Sequence, residues 1–322
     1  MKKEWNEFVE RSRNSTFLFA RDYMDYHGDR FADFSLMAFR NGKLSALLPA
    51  NISDATLYSH QGLTYGGWLW PEKGLDTTDI FLLWCTWLQY CEKEKIEEIV
   101  YKPLPYIYAK MPSEEDRYML FLCRATLEAV DVSSAINFAC NPGFNKMQRR
   151  HFKNRSPQSN YILITADNTP GIEVYHHILS ECLESRHSAA PVHTVAELQL
   201  LMRRFRERIK IWMTLEGDNP TGGVCVYDTG VCAHCQYIAT TEEGRAKNCL
   251  TPLVNELIYH YGRSGVRYLD FGISNEKGGR YLNPGLNRQK TSYGASGVAY
   301  THYRINVTSA LASMPTDLWP PH

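Results

Sequence analysis

The spacing of hydrophobic and polar residues changes along the chain. Some segments have the period of two that is typical of strands, and others have the longer period that is typical of helices. Apolar runs at 35–39 and 44–48 flank Asn41-Gly42, which is typical of a β-hairpin. Apolar residues at helical spacing then predict an amphipathic helix over 78–93, and a strand follows at 99–102. Because strands and helices alternate, the pattern predicts the α/β class, built on α+β mixed sheets.

The second half of the chain has a similar order. The pattern predicts two hairpin strands at 210–215 and 223–227, a third strand at 231–240 and a turn at 241–248. A helix at 250–261 and a last strand at 266–271 follow. In both halves the hairpin glycine precedes a glutamine by 19 residues, Gly42 to Gln61 and Gly217 to Gln236. We therefore predict two similar units, 1–143 and 144–322. Two unrelated α/β units with the same order are the alternative.

Other segments have weaker patterns. Residues 17–19 are predicted to form a short buried strand, and 144–155 a basic helix. We interpret that basic helix as a solvated face between the units. The Gly- and Asn-rich stretch near Arg280 is predicted to be a loop that could close over a substrate, with a plain surface loop as an equal alternative.

Composition narrows the class of protein. The 322 residues include 35 Lys+Arg and 35 Asp+Glu, so no net charge attracts nucleic acid or an anionic membrane. The nine cysteines have no framework spacing, the lysines at the start precede no apolar stretch, and the longest apolar run is too short to span a membrane. These features predict a soluble, cytoplasmic protein with no membrane span.

The turn at 241–248 could hold a phosphate, because backbone N–H groups at a helix start point outward. Its Gly244-Arg245-Ala246 matches part of the Gln/Arg-x-x-Gly-x-Gly/Ala pattern of the GNAT acyltransferases, although Thr241 replaces the first Gln or Arg. The strand order resembles that fold too. The resemblance implies acetyl-CoA or another acyl-CoA as co-substrate, with no metal. Its pyrophosphate would lie on Gly244, Arg245, Ala246, Lys247 and Asn248; an ordinary turn at the start of a helix is the alternative.

The last third resembles the Fem-type (FemAB-type) aminoacyltransferases, which have two GNAT-like units in tandem. Phe271-Gly272, a Leu-containing loop at 282–286 and Lys290 followed by Tyr293-Gly294 match the order of their motifs. The resemblance implies a site between the units, with the acyl donor on the second unit. It also implies that Lys290 stabilises a phosphate or a developing negative charge; a solvated loop lysine is the alternative.

The general base is left open by the sequence. Asp270 and Glu276 lie at a strand end, His234 lies on the central strand, and Tyr293 could serve as an acid. A water chain, or no dedicated base, is an equal alternative. Cys232, His234 and Cys235 lack a second ligand pair at zinc spacing and are expected to be packing residues.

The acceptor is expected to bind to the first unit, by analogy with Fem-like proteins. The residues expected there are Arg21, Tyr23, His60, Gln61 and Tyr65, with Arg280 contributing from its loop. For the five residues of the first unit, the alternative is that the aromatic side chains pack in the core and the polar ones belong to hairpins.

The combined prediction is an acyltransferase. It moves an acyl group from acyl-CoA to the nitrogen or oxygen of an amino sugar or peptide in a cell-surface glycan pathway. One rival is tRNA-dependent Fem-type aminoacyl transfer to a peptidoglycan precursor, which the missing charged heptad insertion disfavours; nucleic acid is otherwise not an expected partner. The other rival is a non-catalytic binding protein on the same fold.

Overall fold

The structure is a computed structural model that describes residues 1–140, 142–154 and 159–315. Its α-helices are α1 (Lys2–Arg11), α2 (Arg21–Met24), α3 (Thr77–Lys93), α4 (Glu115–Leu122), α5 (Lys146–Lys153), α6 (Thr169–His187), α7 (Val195–Arg204), α8 (Glu242–Ala246), α9 (Leu250–Arg263), α10 (Pro284–Ser292) and α11 (Val307–Ser313). Its strands are β1 (Ala32–Asp33), β2 (Leu36–Arg40), β3 (Lys43–Leu48), β4 (Asn51–Ser53), β5 (Thr56–Tyr58), β6 (Glu98–Tyr101), β7 (Thr126–Asn137), β8 (Ser159–Ile164), β9 (Ile209–Glu216), β10 (Asn219–Asp228), β11 (Cys232–Thr240), β12 (Tyr268–Ile273), β13 (Asn275–Glu276), β14 (Tyr281–Leu282) and β15 (Ser296–Asn306).

Contacts divide the chain into two compact units. Unit 1 contains Met1–Asp131, Asn275–Tyr281 and the described part of Ala299–His322. Unit 2 contains Val132–Ser274 and Leu282–Val298. These two units are defined by contacts between residues. The boundary at residues 143 and 144, which the sequence predicts between two acyltransferase-like units, stays a prediction.

Unit 1 has a mixed sheet with the order β1-β4-β5-β6-β15. Strands β4 and β5 are antiparallel, and α3 crosses over to β6, which is parallel to β5. Helix α3 begins at a capping box formed by Asp76 and Asp79. Its apolar face, which includes Trp84 and Trp87, packs into a core that also contains Ala310 of α11.

Unit 2 has a sheet with the order β7-β12-β11-β10-β9-β8. Strands β8 to β11 pair antiparallel, helices α8 and α9 follow, and β12 then returns parallel to β11. Strand β7 pairs antiparallel with the other edge of β12. Four antiparallel strands followed by a helical crossover to a parallel strand confirm the predicted mixed α/β architecture.

Several predicted elements differ from the structure. Residues Phe17–Phe19 form a 3₁₀ helix, so the predicted strand there is wrong. The segment 282–286, predicted to be a loop, contains the start of α10. Asn283 caps this helix by accepting a hydrogen bond from Leu286 N at 3.0 Å. Gln61 follows β5 and does not lie on a strand, and the β2-β3 hairpin forms a separate two-stranded sheet. The resemblance between the halves is therefore looser than the matched spacing predicts.

The carboxyl group of Asp116 gives unit 1 a testable pH dependence. It lies beside the hydroxyl of Tyr101 at 3.2 Å, and burial raises its pKa to about 6 from the ordinary 3.8. A carboxyl group that binds its proton more tightly when folded stabilises the fold at low pH. That contribution, about 2 to 3 kcal/mol, is lost as pH rises from about 4 through 6. Asp116→Asn keeps a neutral side chain, so the free energy of unfolding should lose this slope.

Urea unfolding of the parent and the variant at several pH values between 4 and 7 measures the difference. Subtracting the two curves cancels the titration of all other carboxyl groups. Parallel curves would contradict the pKa assigned to Asp116.

Candidate functional site

The candidate site lies where β11 and β12 stop pairing. Their parallel ladder joins three residue pairs and ends at His234 and Asp270. Each strand has an irregularity just beyond, because Gln236 is an extra residue of β11 opposite β10, and β12 shifts register against β7 between Asp270 and Ile273. Gly272, with φ of +75°, lies within that shift. Bulges are common beside active sites, and ligands of α/β sheets bind beyond the carboxyl ends of parallel strands.

His234 and Asp270 form a hydrogen-bonded pair at this point. His234 Nδ1 lies 2.8 Å from Asp270 Oδ2. The Asp270 side chain is fully buried, whereas 13% of the His234 side chain is exposed. The Asp270 carboxylate also accepts from Ser133 Oγ at 2.5 Å and from Gly272 N at 3.2 Å. An imidazole oriented by a buried carboxylate and reachable from solvent can act as a general base.

Lys290 lies on α10 and is buried, with 5% of its surface exposed. Its Nζ donates to Gly272 O at 2.9 Å and to Ile273 O at 2.6 Å. Burial lowers its pKa to about 8, and the charge of Asp270 opposes that effect. The alternative of a solvated loop lysine is therefore wrong. The ammonium group thus binds two carbonyl groups in the part of β12 where the register against β7 shifts.

The other predicted catalytic residues have different surroundings. Tyr293 is buried, packs against Phe271 and Phe144, and has a pKa raised by desolvation. These contacts make it part of the unit 2 core. Glu276 and Arg280 are exposed and belong by contact to unit 1.

The turn at 241–248 does not fit a pyrophosphate group. Gly244 N donates to Thr241 Oγ1, and Arg245 N, Lys247 N and Asn248 N all donate to carbonyl groups within the turn, which includes helix α8. The first turn of α8 carries two acidic residues, and Lys247 pairs with Glu243 at 2.8 Å. Four of the five amides that the resemblance assigns to phosphate binding therefore donate within the turn, and the nearby carboxylates repel an anion.

Arg21 and Tyr23 of unit 1 have internal partners. Arg21 forms ion pairs with Asp25 at 2.7 Å and with Asp33 at 3.0 Å. Tyr23 is buried, with its ring against Phe17. These contacts stabilise the start of unit 1, and an acceptor-binding role for the two residues stays a prediction.

His60, Gln61 and Tyr65 lie around a turn after β5. His60 is buried and stacked on His27, and burial lowers its pKa to about 3. Gln61 exchanges two hydrogen bonds with Asn51, and Tyr65 is buried against Tyr108. His60 is therefore neutral at pH 7 and carries no charge toward an acceptor.

No group of three or more His, Cys, Asp or Glu residues suited to a metal ion occurs in the part of the chain that the structure describes. Within the same residues, no helix is long and apolar enough to cross a membrane.

The sequence did not identify Ser133 or pair His234 with Asp270. The available signal for Ser133 is its position, with Ser134, in a strand of otherwise largely apolar character, since buried hydroxyl groups need partners. The pairing of His234 with Asp270 depends on strand register, which apolar patterning does not define within a buried parallel pair.

Residues 149–281 match the acetyltransferase (GNAT) domain family. That segment contains His234, Asp270 and the turn at 241–248, but not Lys290. The comparison with curated proteins gives no match.

Solved structures with the same fold cover nearly the whole chain. FemX superposes with a TM-score of 0.61 at 11% identity, covering 94% of this chain and 95% of that one. The C-terminal domain of a putative lysylphosphatidylglycerol synthetase from Agrobacterium fabrum has a TM-score of 0.61 at 10% identity, covering 97% and 94%. L-PGS from Bacillus licheniformis has 0.58 at 10%, covering 97% and 95%.

The chain has a Fem-like, tandem GNAT acyltransferase fold, which confirms the resemblance drawn from the sequence. The domain match supports a transferase at the level of the GNAT superfamily, whose members typically use acyl-CoA.

Gly244 gives a test of why a glycine occupies the turn. A Cβ added there would lie 2.1 Å from Thr221 O, so the glycine allows α8 to pack on β10 without any ligand. Gly244→Ala should lower the free energy of unfolding of the ligand-free protein by at least about 1–3 kcal/mol. Thermal or urea unfolding measures the loss.

Gly28→Ala is the matched control, because its added Cβ would meet its nearest atom, Asp25 O, at an ordinary 3.6 Å. If Gly244→Ala were as stable as the control, the packing explanation would be wrong.

Proposed function

We propose that this protein is an acyltransferase in which the acceptor attacks the acyl carbonyl directly, with His234 as the general base. The observation that supports it is the His234–Asp270 pair at the end of the β11–β12 ladder. Among the residues left open by the sequence, His234 combines a titratable nitrogen, partial exposure and a buried orienting carboxylate. Direct attack requires no nucleophilic Ser or Cys.

The proton balance follows from the geometry. Asp270 accepts the Nδ1–H of His234, so the imidazole Nε2 is the basic nitrogen. As the acceptor nitrogen or oxygen bonds to the acyl carbon, its proton passes to Nε2. The resulting imidazolium is stabilised by Asp270 and can return the proton to the leaving group when the tetrahedral intermediate collapses.

Lys290 is proposed to position the backbone beside this base. Its two hydrogen bonds hold Gly272 O and Ile273 O, and Gly272 N in turn binds the Asp270 carboxylate. The same positive charge favours negative charge developing on the acyl oxygen, as the Fem-like pattern implies.

The acyl donor remains a choice between two classes. Acyl-CoA is the donor that the GNAT domain match supports. The rival is an aminoacyl donor of the Fem type, which does not require a pyrophosphate site at 241–248. The fold shared with the C-terminal domain of a putative lysylphosphatidylglycerol synthetase is in keeping with this rival. No step is assigned to the CoA group itself.

The acceptor is proposed to be an amine or hydroxyl group of an amino sugar or peptide in a cytoplasmic step of a cell-surface glycan pathway. The fold shared with FemX supports this class. A panel of acetyl-CoA and aminoacyl-tRNA donors with glucosamine derivatives and alanine-bearing peptides tests it. Ligand binding without turnover of any donor would favour a non-catalytic binding protein.

His234→Gln tests the base. With the turnover found in the panel as the readout, kcat/KM should fall by about 10²- to 10⁴-fold, because no group then takes the acceptor proton. Asp270→Asn should also reduce turnover, since an amide can impose the wrong imidazole tautomer.

His177→Gln is the matched control, because His177 is 72% exposed on α6 and should leave turnover unchanged. Normal turnover of a folded His234→Gln protein would rule out His234 as the base.

Lys290→Met tests the positioning role. The variant keeps an unbranched side chain but removes both hydrogen bonds to the β12 carbonyl groups, so kcat should fall. In the parent, kcat should also decline as pH rises through about 8, where Lys290 loses its charge. That decline should be absent from the residual activity of Lys290→Met. An unchanged kcat and pH profile in the folded variant would contradict the role.

A further inference from the structure

Unit 1 also has a parallel strand pair, and titratable side chains lie just beyond its carboxyl end. The ladder between β5 and β6 ends at Tyr58 and Val100. Beyond it, Ser59 Oγ accepts a hydrogen bond from Lys102 N at 2.8 Å. The chain then turns back, and Gly66 N donates to Lys102 O at 2.7 Å. Lys102 is therefore fixed at the end of a parallel pair, where ligands of α/β sheets bind.

Lys102 and His302 share the face of this sheet that points away from α3. Tyr101, the residue before Lys102, packs its ring on Trp84 of α3, and side chains alternate along an extended chain. Strands β6 and β15 pair antiparallel with Tyr303 opposite Tyr101, so the next position brings His302 opposite Lys102. The side chain of His302 is 33% exposed, so a ligand can reach this position from solvent.

The ammonium group of Lys102 forms no ion pair with a carboxylate within the described residues. Its Nζ donates to one backbone carbonyl group, Leu63 O, at 2.6 Å. Burial lowers the pKa of Lys102 to about 8 from the ordinary 10.5. Because an ammonium group has three donor hydrogens, two remain for a ligand. A desolvated cation without a counter-charge is costly, and a bound anion reduces that cost.

Two imidazole groups lie near this ammonium group. Burial, the charge of His27 and the charge of Lys102 lower the pKa of His60 to about 3, and burial and Lys102 likewise lower the pKa of His302. Both rings are thus neutral at pH 7 and can donate one N–H each. His60 is buried, and its Nδ1 has no hydrogen-bond partner in the described ranges. The Asp131 carboxylate, 3.8 Å from His302 Nε2, disfavours a ligand with more than one negative charge.

We propose that Lys102 and His302 form a carboxylate-binding site in unit 1, with His60 as a further donor. The two remaining N–H groups of Lys102 bind the carboxylate, and an imidazole N–H binds its second oxygen. One negative charge matches the one cation. A small free carboxylate and the end of a peptide share this chemistry. The site does not include His234 and is tested by binding alone, so its failure leaves the proposed base unaffected.

The experiment follows the ring signals of His302 in ¹³C-histidine-labelled protein, assigned by their absence from His302→Gln, during titration with acetate and N-acetylglycine. Acetate should bind saturably at pH 7 with a Kd of about 10 mM or lower, and inorganic phosphate should bind more weakly. Acetamide, a neutral analogue of similar shape, should cause no saturable shift. The affinity for acetate should fall about tenfold between pH 7 and pH 9, because Lys102 loses its proton.

Lys102→Met should weaken acetate binding by about tenfold or more, since the charged hydrogen bonds are lost. Lys110→Met is the matched control and should preserve affinity. Lys110 is exposed in unit 1, and its Nζ also donates to a backbone carbonyl group, Glu10 O, at 2.7 Å. Tighter binding of N-acetylglycine than of acetate indicates a peptide or amino-acid carboxylate, and equal or weaker binding indicates a small free carboxylate; both support the site.

The carboxylate site is overturned if acetate does not saturate the His302 shift below about 100 mM, or if acetamide or phosphate binds as tightly as acetate. It is also overturned if Lys102→Met binds acetate like Lys110→Met, or if the affinity of the parent is the same at pH 7 and pH 9. The pH comparison uses the parent protein, so it decides the question even if Lys102→Met does not fold.

Discussion

The hydrogen bond between His234 and Asp270 joins the side chains of the last residue pair in the parallel β11–β12 ladder. Within the ladder, the two side chains share one register position. Beyond it, the backbone of β12 changes register, and Gly272 N turns toward the Asp270 carboxylate. A buried carboxylate needs such donors, since an unpaired charge in this environment is very costly. The fold therefore brings the imidazole and its orienting group together by strand geometry.

The surrounding helices support this geometry from behind. Lys290 of α10 binds the carbonyl groups of Gly272 and Ile273, and two residues later Ser292 binds Gln148 of α5. Gln148 also binds Thr251 of α9. These buried and part-buried hydrogen bonds connect three helices to the irregular end of β12. Such networks position functional groups when every member is satisfied.

The sequence predicted the elements better than the site. Apolar spacing located α3, α9 and the β9–β10–β11 strands, because burial of one face imposes a period. The segment 282–286 was expected to be a loop, but Asn283 within it is the cap of α10 and Pro284 is its first residue. The glycine at 244 matched a phosphate motif although packing against Thr221 accounts for it. Register and hydrogen-bond partners are tertiary properties, and residue patterns alone do not determine them.

The imidazole tautomer of His234 tests the central claim most directly. Two-bond ¹⁵N–¹H correlation spectra of the labelled protein, assigned by the signals missing from His234→Gln, distinguish the two neutral forms. If Asp270 orients His234 as a base, the neutral ring carries its proton on Nδ1 and leaves Nε2 unprotonated, and Asp270→Asn perturbs this form. A neutral His234 protonated on Nε2 in the parent would contradict the account.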